Sequence, residues 1–179
     1  DELTDIKGVW FEEEYLRYYP LGTVACDVLG YTNSGNAGAY GLEEYYNDIL
    51  NGTNGREYGY LNEDSNLERT TIPAVDGNTL VTTIDANIQK IVEEKITDYN
   101  TAYTSNYREG EDGSYNTGCI IMEVDTGKVL AMAGYPFFDL NEPRNLELYF
   151  TPEEVAAAEE AGRTEGDLLA ELWKNYCIS

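Results

Sequence analysis

The sequence predicts an α+β fold: a pedestal of helices and short strands over residues 1–76, then an incomplete antiparallel sheet with packed helices over 77–179. Three observations carry that expectation. Apolar residues recur at helical spacing around 42–50 and 88–99, two apolar runs at 118–124 and 128–135 flank an Asp-Thr-Gly turn, and a threonine-proline helix start stands at 151. With 179 residues and 42% hydrophobic content, the chain can form one ordinary domain or two small ones sharing a core. Its 16 tyrosines make up most of the aromatic content, and such half-polar rings suit shallow, elongated packing.

In chain order, Leu42, Tyr45, Tyr46, Ile49 and Leu50 hold the i, i+3, i+4, i+7, i+8 positions of one amphipathic helix, with Gly52 as its stop. Gly, Asn and Ser crowd 30–41 and 51–59 on either side, which predicts loops or turns there. Residues 80–84 are rich in β-branched side chains and predict a short strand, after which Asp85 caps a helix. That helix is expected to pack Ile88, Ile91, Val92, Ile96 and Tyr99 on one face and leave Gln89, Lys90, Glu93, Glu94 and Lys95 on the wet one. Residues 100–117 have no sustained period and read as an exposed loop. The runs 118–124 and 128–135, joined through Asp125-Thr126-Gly127, predict an antiparallel hairpin ended by Pro136. Both faces of these strands are mostly apolar, so both are expected to be covered. Thr151-Pro152-Glu153-Glu154 starts a helix that stops near Gly162, and Leu168, Leu169, Leu172, Trp173 and Tyr176 give the last helical face.

Composition excludes several kinds of function. The formal charge of −23, from 34 acidic and 11 basic residues, repels phosphate backbones and anionic headgroups, so nucleic acid is not a partner. The longest apolar runs fall far short of the roughly 20 residues needed to cross a bilayer. Histidine is absent, which removes the commonest general base and transition-metal ligand, and no cofactor or metal is expected. Cys26, Cys119 and Cys177 are odd in number and widely spaced, so they read as buried thiols, with Cys119 desolvated in a strand and inert. Without histidine, a serine nucleophile needs a lysine three residues on. Ser34, Ser65, Ser105 and Ser114 are followed at that position by Ala37, Glu68, Arg108 and Thr117, and Ser179 is the last residue, so no catalytic residue is assigned. Ser34-Gly35-Asn36 reads as a turn. The acidic clusters at 12–14, 109–112 and 153–154 lack the alternating ligands of a calcium loop and read as solvated surface.

Ordered motifs then give a resemblance. Arg17-Tyr18-Tyr19-Pro20-Leu21-Gly22 resembles the Arg-x-Tyr-Pro-x-Gly motif of the non-catalytic module of class B penicillin-binding proteins. Gly38-Ala39-Tyr40-Gly41-Leu42-Glu43 resembles that module's next motif, Gly-x-x-Gly-x-Glu. Thr83-Ile84-Asp85 with Gln89 and Glu93 is similar to the strand-to-helix entry of the family's transpeptidase domain. The stretch 122–133, with Asp125 and Gly127 at its turn, is similar to the first sheet hairpin, and Pro136 with 138–141 to the segment after it. The structural motif residues are therefore Arg17, Tyr19, Pro20, Gly22, Gly38, Gly41, Glu43, Asp85, Gln89, Asp125 and Gly127, and Arg17 is expected to pair with Glu43.

The resemblance implies a parent enzyme that cross-links peptidoglycan. A serine attacks the penultimate D-alanine of a stem peptide, the acyl group passes to an amine on a neighbouring strand, and β-lactams acylate the same serine. The resemblance places that serine beyond 175–179, so this stretch is expected to be inactive, an excerpt of a longer chain anchored by an N-terminal helix on the outer face of the bacterial membrane. It implies contacts with membrane glycan polymerases and other cell-wall synthesis proteins. An unfinished sheet would expose apolar edge and face, so self-association is expected. The second reading is a free-standing secreted acidic binding or adhesion module, which the acidity and tyrosine content also suit.

Overall fold

The computed structural model describes residues 16–61 and 67–178. The acidic cluster at 12–14, Ser65 and Ser179 lie outside the described residues.

The longest helix forms where cap and apolar stripe coincide. In α4 (Ala86–Ala102) the Asp85 carboxylate accepts from the N–H groups of Asn87 and Ile88, two of the donors that a helix start leaves open. Strands β5 (Thr117–Met122) and β6 (Val129–Tyr135) pair antiparallel from Thr117↔Tyr135 to Met122↔Val129, with an irregularity between Ile121 and Met122. Asp125 and Gly127 lie in the turn, where Gly127 takes φ +72° and donates to the Glu123 carbonyl at 2.8 Å. Val92 and Ile96 pack on Ala131 and Ala133, flanked by Ile88, Cys119 and Ile121.

A second core joins distant parts of the chain: Tyr19, Cys26 and Tyr31 pack with Phe138, Leu140, Leu169 and Leu172. Residues from both sides of position 76 thus share one interior. Its early contributors sit around α1 (Cys26–Leu29) and a small ladder of β1 (Tyr31–Thr32) with β2 (Gly38–Ala39). Its late contributors come from the segment after β6 and from α6 (Glu165–Leu172), which follows α5 (Pro152–Glu160). Both late helices start with a complete capping box, Thr151 with Glu154 and Thr164 with Asp167.

Several expectations are corrected. The single helix over 42–50 is two short ones, α2 (Gly41–Tyr45) and α3 (Asn47–Leu50), broken at Tyr46 with φ −105° and ψ 18°. The expected apolar stripe is only partly seated: Leu42, Tyr46 and Leu50 are half-buried, Tyr45 and Ile49 are exposed, and it is Glu43 that is buried. Residues 80–84 do not form a strand. They reach β6 only at their end, through Thr83 Oγ1 to the Val129 carbonyl (2.7 Å) and Asp85 N–H to the Leu130 carbonyl (2.8 Å). The region 51–59, expected as loop, enters a strand at Arg56: β3 (Arg56–Leu61) pairs with β4 (Leu67–Ile72) over six residues, an exposed hairpin. The β5–β6 sheet is covered by α4 on one face but not on both, and Ile120, Met122 and Val124 stand in the open. Ile91 and Tyr99 on α4 are likewise exposed rather than packed. Trp173 and Tyr176 follow α6 rather than extending it. Among the cysteines only Cys26 is fully buried; Cys119 and Cys177 are half-buried, and all three are free thiols.

Candidate functional site

The motif residues of the first half gather at one junction. Tyr19 is buried, and its backbone is clasped by the Asn141 amide, which accepts from Tyr19 N–H and donates to the Tyr19 carbonyl, each at 2.9 Å. Tyr19 opens the turn through Pro20 that closes with Gly22 N–H on the Tyr19 carbonyl at 3.1 Å. Glu43 is buried, and its Oε1 accepts from Arg17 Nη2 (2.7 Å), Arg17 Nε (2.8 Å) and Tyr19 Oη (3.3 Å). The expected ion pair therefore exists. Both guanidinium contacts fall on one oxygen, so it is not the two-oxygen fork that gives arginine pairs their full strength.

The glycines of the second motif have a steric reason. A Cβ at Gly38 would lie 1.9 Å from the Glu43 carbonyl oxygen. Gly41 takes φ +56°, and a Cβ there would lie 2.5 Å from the Val28 carbonyl oxygen. Glycine at 38 lets β2 approach α2, and glycine at 41 lets α2 approach α1, which together place Glu43 beside Arg17.

The second half meets this junction along the outer edge of β6. Gln89, expected on the wet face of α4, is 0% exposed. Its amide donates to the Met132 carbonyl (2.8 Å) and accepts from Met132 N–H (2.9 Å), as a neighbouring strand would. It also donates to Glu93 Oε1 at 2.7 Å. Glu93, likewise expected in water, is buried and accepts from Ala25 N–H at 2.8 Å. Asp27 completes the edge by accepting from Gly134 N–H at 2.8 Å, and Asn175 Nδ2 donates to the Asp27 carbonyl at 3.3 Å.

Burial, helped by the Glu93 charge and opposed by the Gly134 N–H, pushes the Asp27 carboxyl up to about 7. Burial also raises Glu93, against the N–H groups of Ala25 and Gln89. The signal that could have found Asp27 is its isolation inside the apolar run Val24-Ala25-Cys26-Asp27-Val28-Leu29. For Gln89 and Glu93 it is their i, i+4 spacing, which puts them on one helix face.

Chemically this is a clasp. Among the described residues no group of three His, Cys, Asp or Glu side chains could hold a metal ion, and no helix is long and apolar enough to cross a membrane.

Comparison with known proteins gives the clasp its setting. Residues 1–82 match the model of the penicillin-binding protein dimerisation domain. The chain is 32% identical over 156 residues to peptidoglycan D,D-transpeptidase FtsI of Escherichia coli strain K12, covering 84% of this chain and 24% of that protein. It is 31% identical over 141 residues to stage V sporulation protein D of Bacillus subtilis, covering 75% of this chain and 20% of that one. Penicillin-binding protein 3 of Mycobacterium tuberculosis, solved in complex with aztreonam, superimposes with a TM-score of 0.51 at 30% identity, over 70% of this chain and 23% of that one. Penicillin-binding protein 2X of Streptococcus thermophilus gives 0.51 at 26% identity, over 68% and 18%. The chain spans about a quarter or less of the length of these relatives. The dimerisation-domain match takes in the Arg17 and Glu43 motifs, the sequence relatives cover most of the chain, and the solved structures share its fold. The chain belongs to the class B penicillin-binding proteins.

Proposed function

We propose that this chain supplies the pedestal, residues 1–76, and the opening of the transpeptidase domain, residues 77–179, of a peptidoglycan D,D-transpeptidase. The observation that supports this reading is the clasp, in which residues 19–43 are hydrogen-bonded to residues more than a hundred positions away at Gly134 and Asn141. Such a joint sets the orientation of one part on the other, and that is the work assigned to the motif residues Arg17, Tyr19, Pro20, Gly22, Gly38, Gly41, Glu43, Asp85 and Gln89. Asp125 and Gly127 turn the hairpin on which the joint closes.

In this reading the whole protein cross-links stem peptides, is acylated by β-lactams on its serine, and stands on the outer face of the cell membrane on an N-terminal helix, beside a glycan polymerase. The part described contributes positioning. Nothing in its fold or its relatives speaks for a free-standing adhesion module.

Labelled penicillin read by intact mass on this chain and on the full gene product tests the proposal. The expected result is one label on the full product and none on this chain. Label on neither would overturn the transpeptidase reading, and label on this chain would overturn the purely positional role.

A further inference from the structure

Two buried carboxylates, Asp27 and Glu93, stand together where α1 meets α4 and β6, and among the described residues neither is in an ion pair. A buried carboxylate without a cation is unstable in its charged form, and a like charge beside it makes that worse. Each fastens a distant piece of backbone instead: Glu93 Oε1 holds Ala25 N–H and Asp27 Oδ2 holds Gly134 N–H, both at 2.8 Å.

The backbone they hold is itself strained. Ala25 takes φ +57° and ψ 32°, a left-handed conformation that alanine seldom adopts and that persists only where its surroundings enforce it. Glu93 is the side chain that grips its N–H.

The other groups around the pair are neutral or peripheral. From α1, Cys26 Sγ lies 4.0 Å from Asp27 Oδ1. From α4, the Gln89 amide donates to Glu93, and exposed Lys90 acts on Glu93 through its charge. From β6 the contact with Asp27 is the Gly134 backbone. From the end of the chain come the Asn175 amide on the Asp27 carbonyl, and Tyr176 and Cys177, which both feel the Asp27 charge. Burial raises Cys26, Tyr176 and Cys177, so they keep their protons at neutral pH.

We infer that Asp27 and Glu93 form a proton-operated latch, shut while the pair holds one proton and loosened, with residues 25–27 released from α4 and β6, when that proton leaves to solvent. With the proton on Asp27, its carboxyl keeps an oxygen for Gly134 N–H, and the single charge on Glu93 is met by the N–H groups of Ala25 and Gln89. Without it, two charges share one dry joint. Moving residues 25–27 toward water relieves the repulsion and lets Ala25 relax.

Amide hydrogen exchange at single residues, corrected for the intrinsic pH dependence of exchange, tests the latch on the parent chain, Asp27→Asn and Glu93→Gln. In the parent, protection of the Ala25 and Gly134 amides should fall at least about tenfold from pH 5 to pH 8 and level off above about 7, where Asp27 has lost its proton. At pH 8 both should be at least about tenfold less protected than the Ile96 amide inside α4, because the latch opens without the rest of the fold. Asp27→Asn should abolish the fall and Glu93→Gln should reduce it. Protection that does not change with pH, one shared protection factor for Ala25, Gly134 and Ile96 at pH 8, or an undiminished fall in Asp27→Asn or Glu93→Gln would each overturn the proposal.

Discussion

At the scale of single residues, a carboxylate buried beside another makes stability depend on pH, and Asp27 beside Glu93 is such a case. Its pKa rises from 3.8 outside the fold to about 7 inside, so its stabilising share is fully present below about pH 4 and is lost as pH climbs through 7. At pH 8 the ionised form costs the fold roughly 2–4 kcal/mol. Asp27→Asn keeps an acceptor for Gly134 N–H and removes the charge. The variant should exceed the parent by about 2 kcal/mol or more at pH 8, and that gain should vanish at pH 4, as read from urea midpoints. A variant weaker at both pH values would show that the fold needs the charge itself. Glu43 differs: its charge is met by Arg17 and Tyr19, which is why it can stand in the interior that Asp27 enters at a cost.

At the scale of elements, the outer edge of β6 is the feature from which the rest follows. An open strand edge is a template for unwanted pairing. Here its groups are occupied in turn by Asp85 N–H on Leu130, the Gln89 amide on Met132 and the Asp27 carboxylate on Gly134. Residues 80–84 therefore need not run alongside as a strand, because side chains from a helix and from the pedestal complete the edge. Gln89→Leu would bury a similar volume while leaving both Met132 backbone groups without partners. The expected loss is about 3 kcal/mol in urea unfolding, with little change in the slope of the transition. A loss under about 1 kcal/mol would mean that water or a neighbour replaces the amide readily.

At the scale of the whole molecule, β5 has no strand on its other side among the described residues, its uncovered face shows Ile120 and Met122, and Val124 in the turn after it is 95% exposed. On the helix side, Ile91, Ile96, Tyr99, Thr117 and Cys119 line a groove of about 480 Å³. Surfaces of this kind associate when nothing covers them. The chain should therefore show concentration-dependent association in sedimentation velocity, and the double substitution Ile120→Lys, Met122→Lys should return it to a monomer without lowering its melting temperature. A parent that stays monomeric at high concentration would refute this.

The sequence by itself determined the α4 cap at Asp85, the threonine start at 151, the 125–127 turn and the Arg17–Glu43 pair. Each rests on local backbone chemistry or on an ordered motif, and neither needs knowledge of what lies across the core. Only the tertiary structure decided which polar residues are buried. Gln89 and Glu93 have the composition of a wet face, and Asp27 is one acid in an apolar run; their places depend on a strand edge and a backbone turn far away in sequence. The same holds for β3 and β4, whose pairing depends on a partner rather than on a buried stripe, and for the 42–50 helix, where seating Glu43 outweighed the apolar spacing. Hydrophobic periodicity registers burial of apolar surface, whereas a buried hydrogen-bonding group is stable only where its partner stands, and that partner is set by the fold.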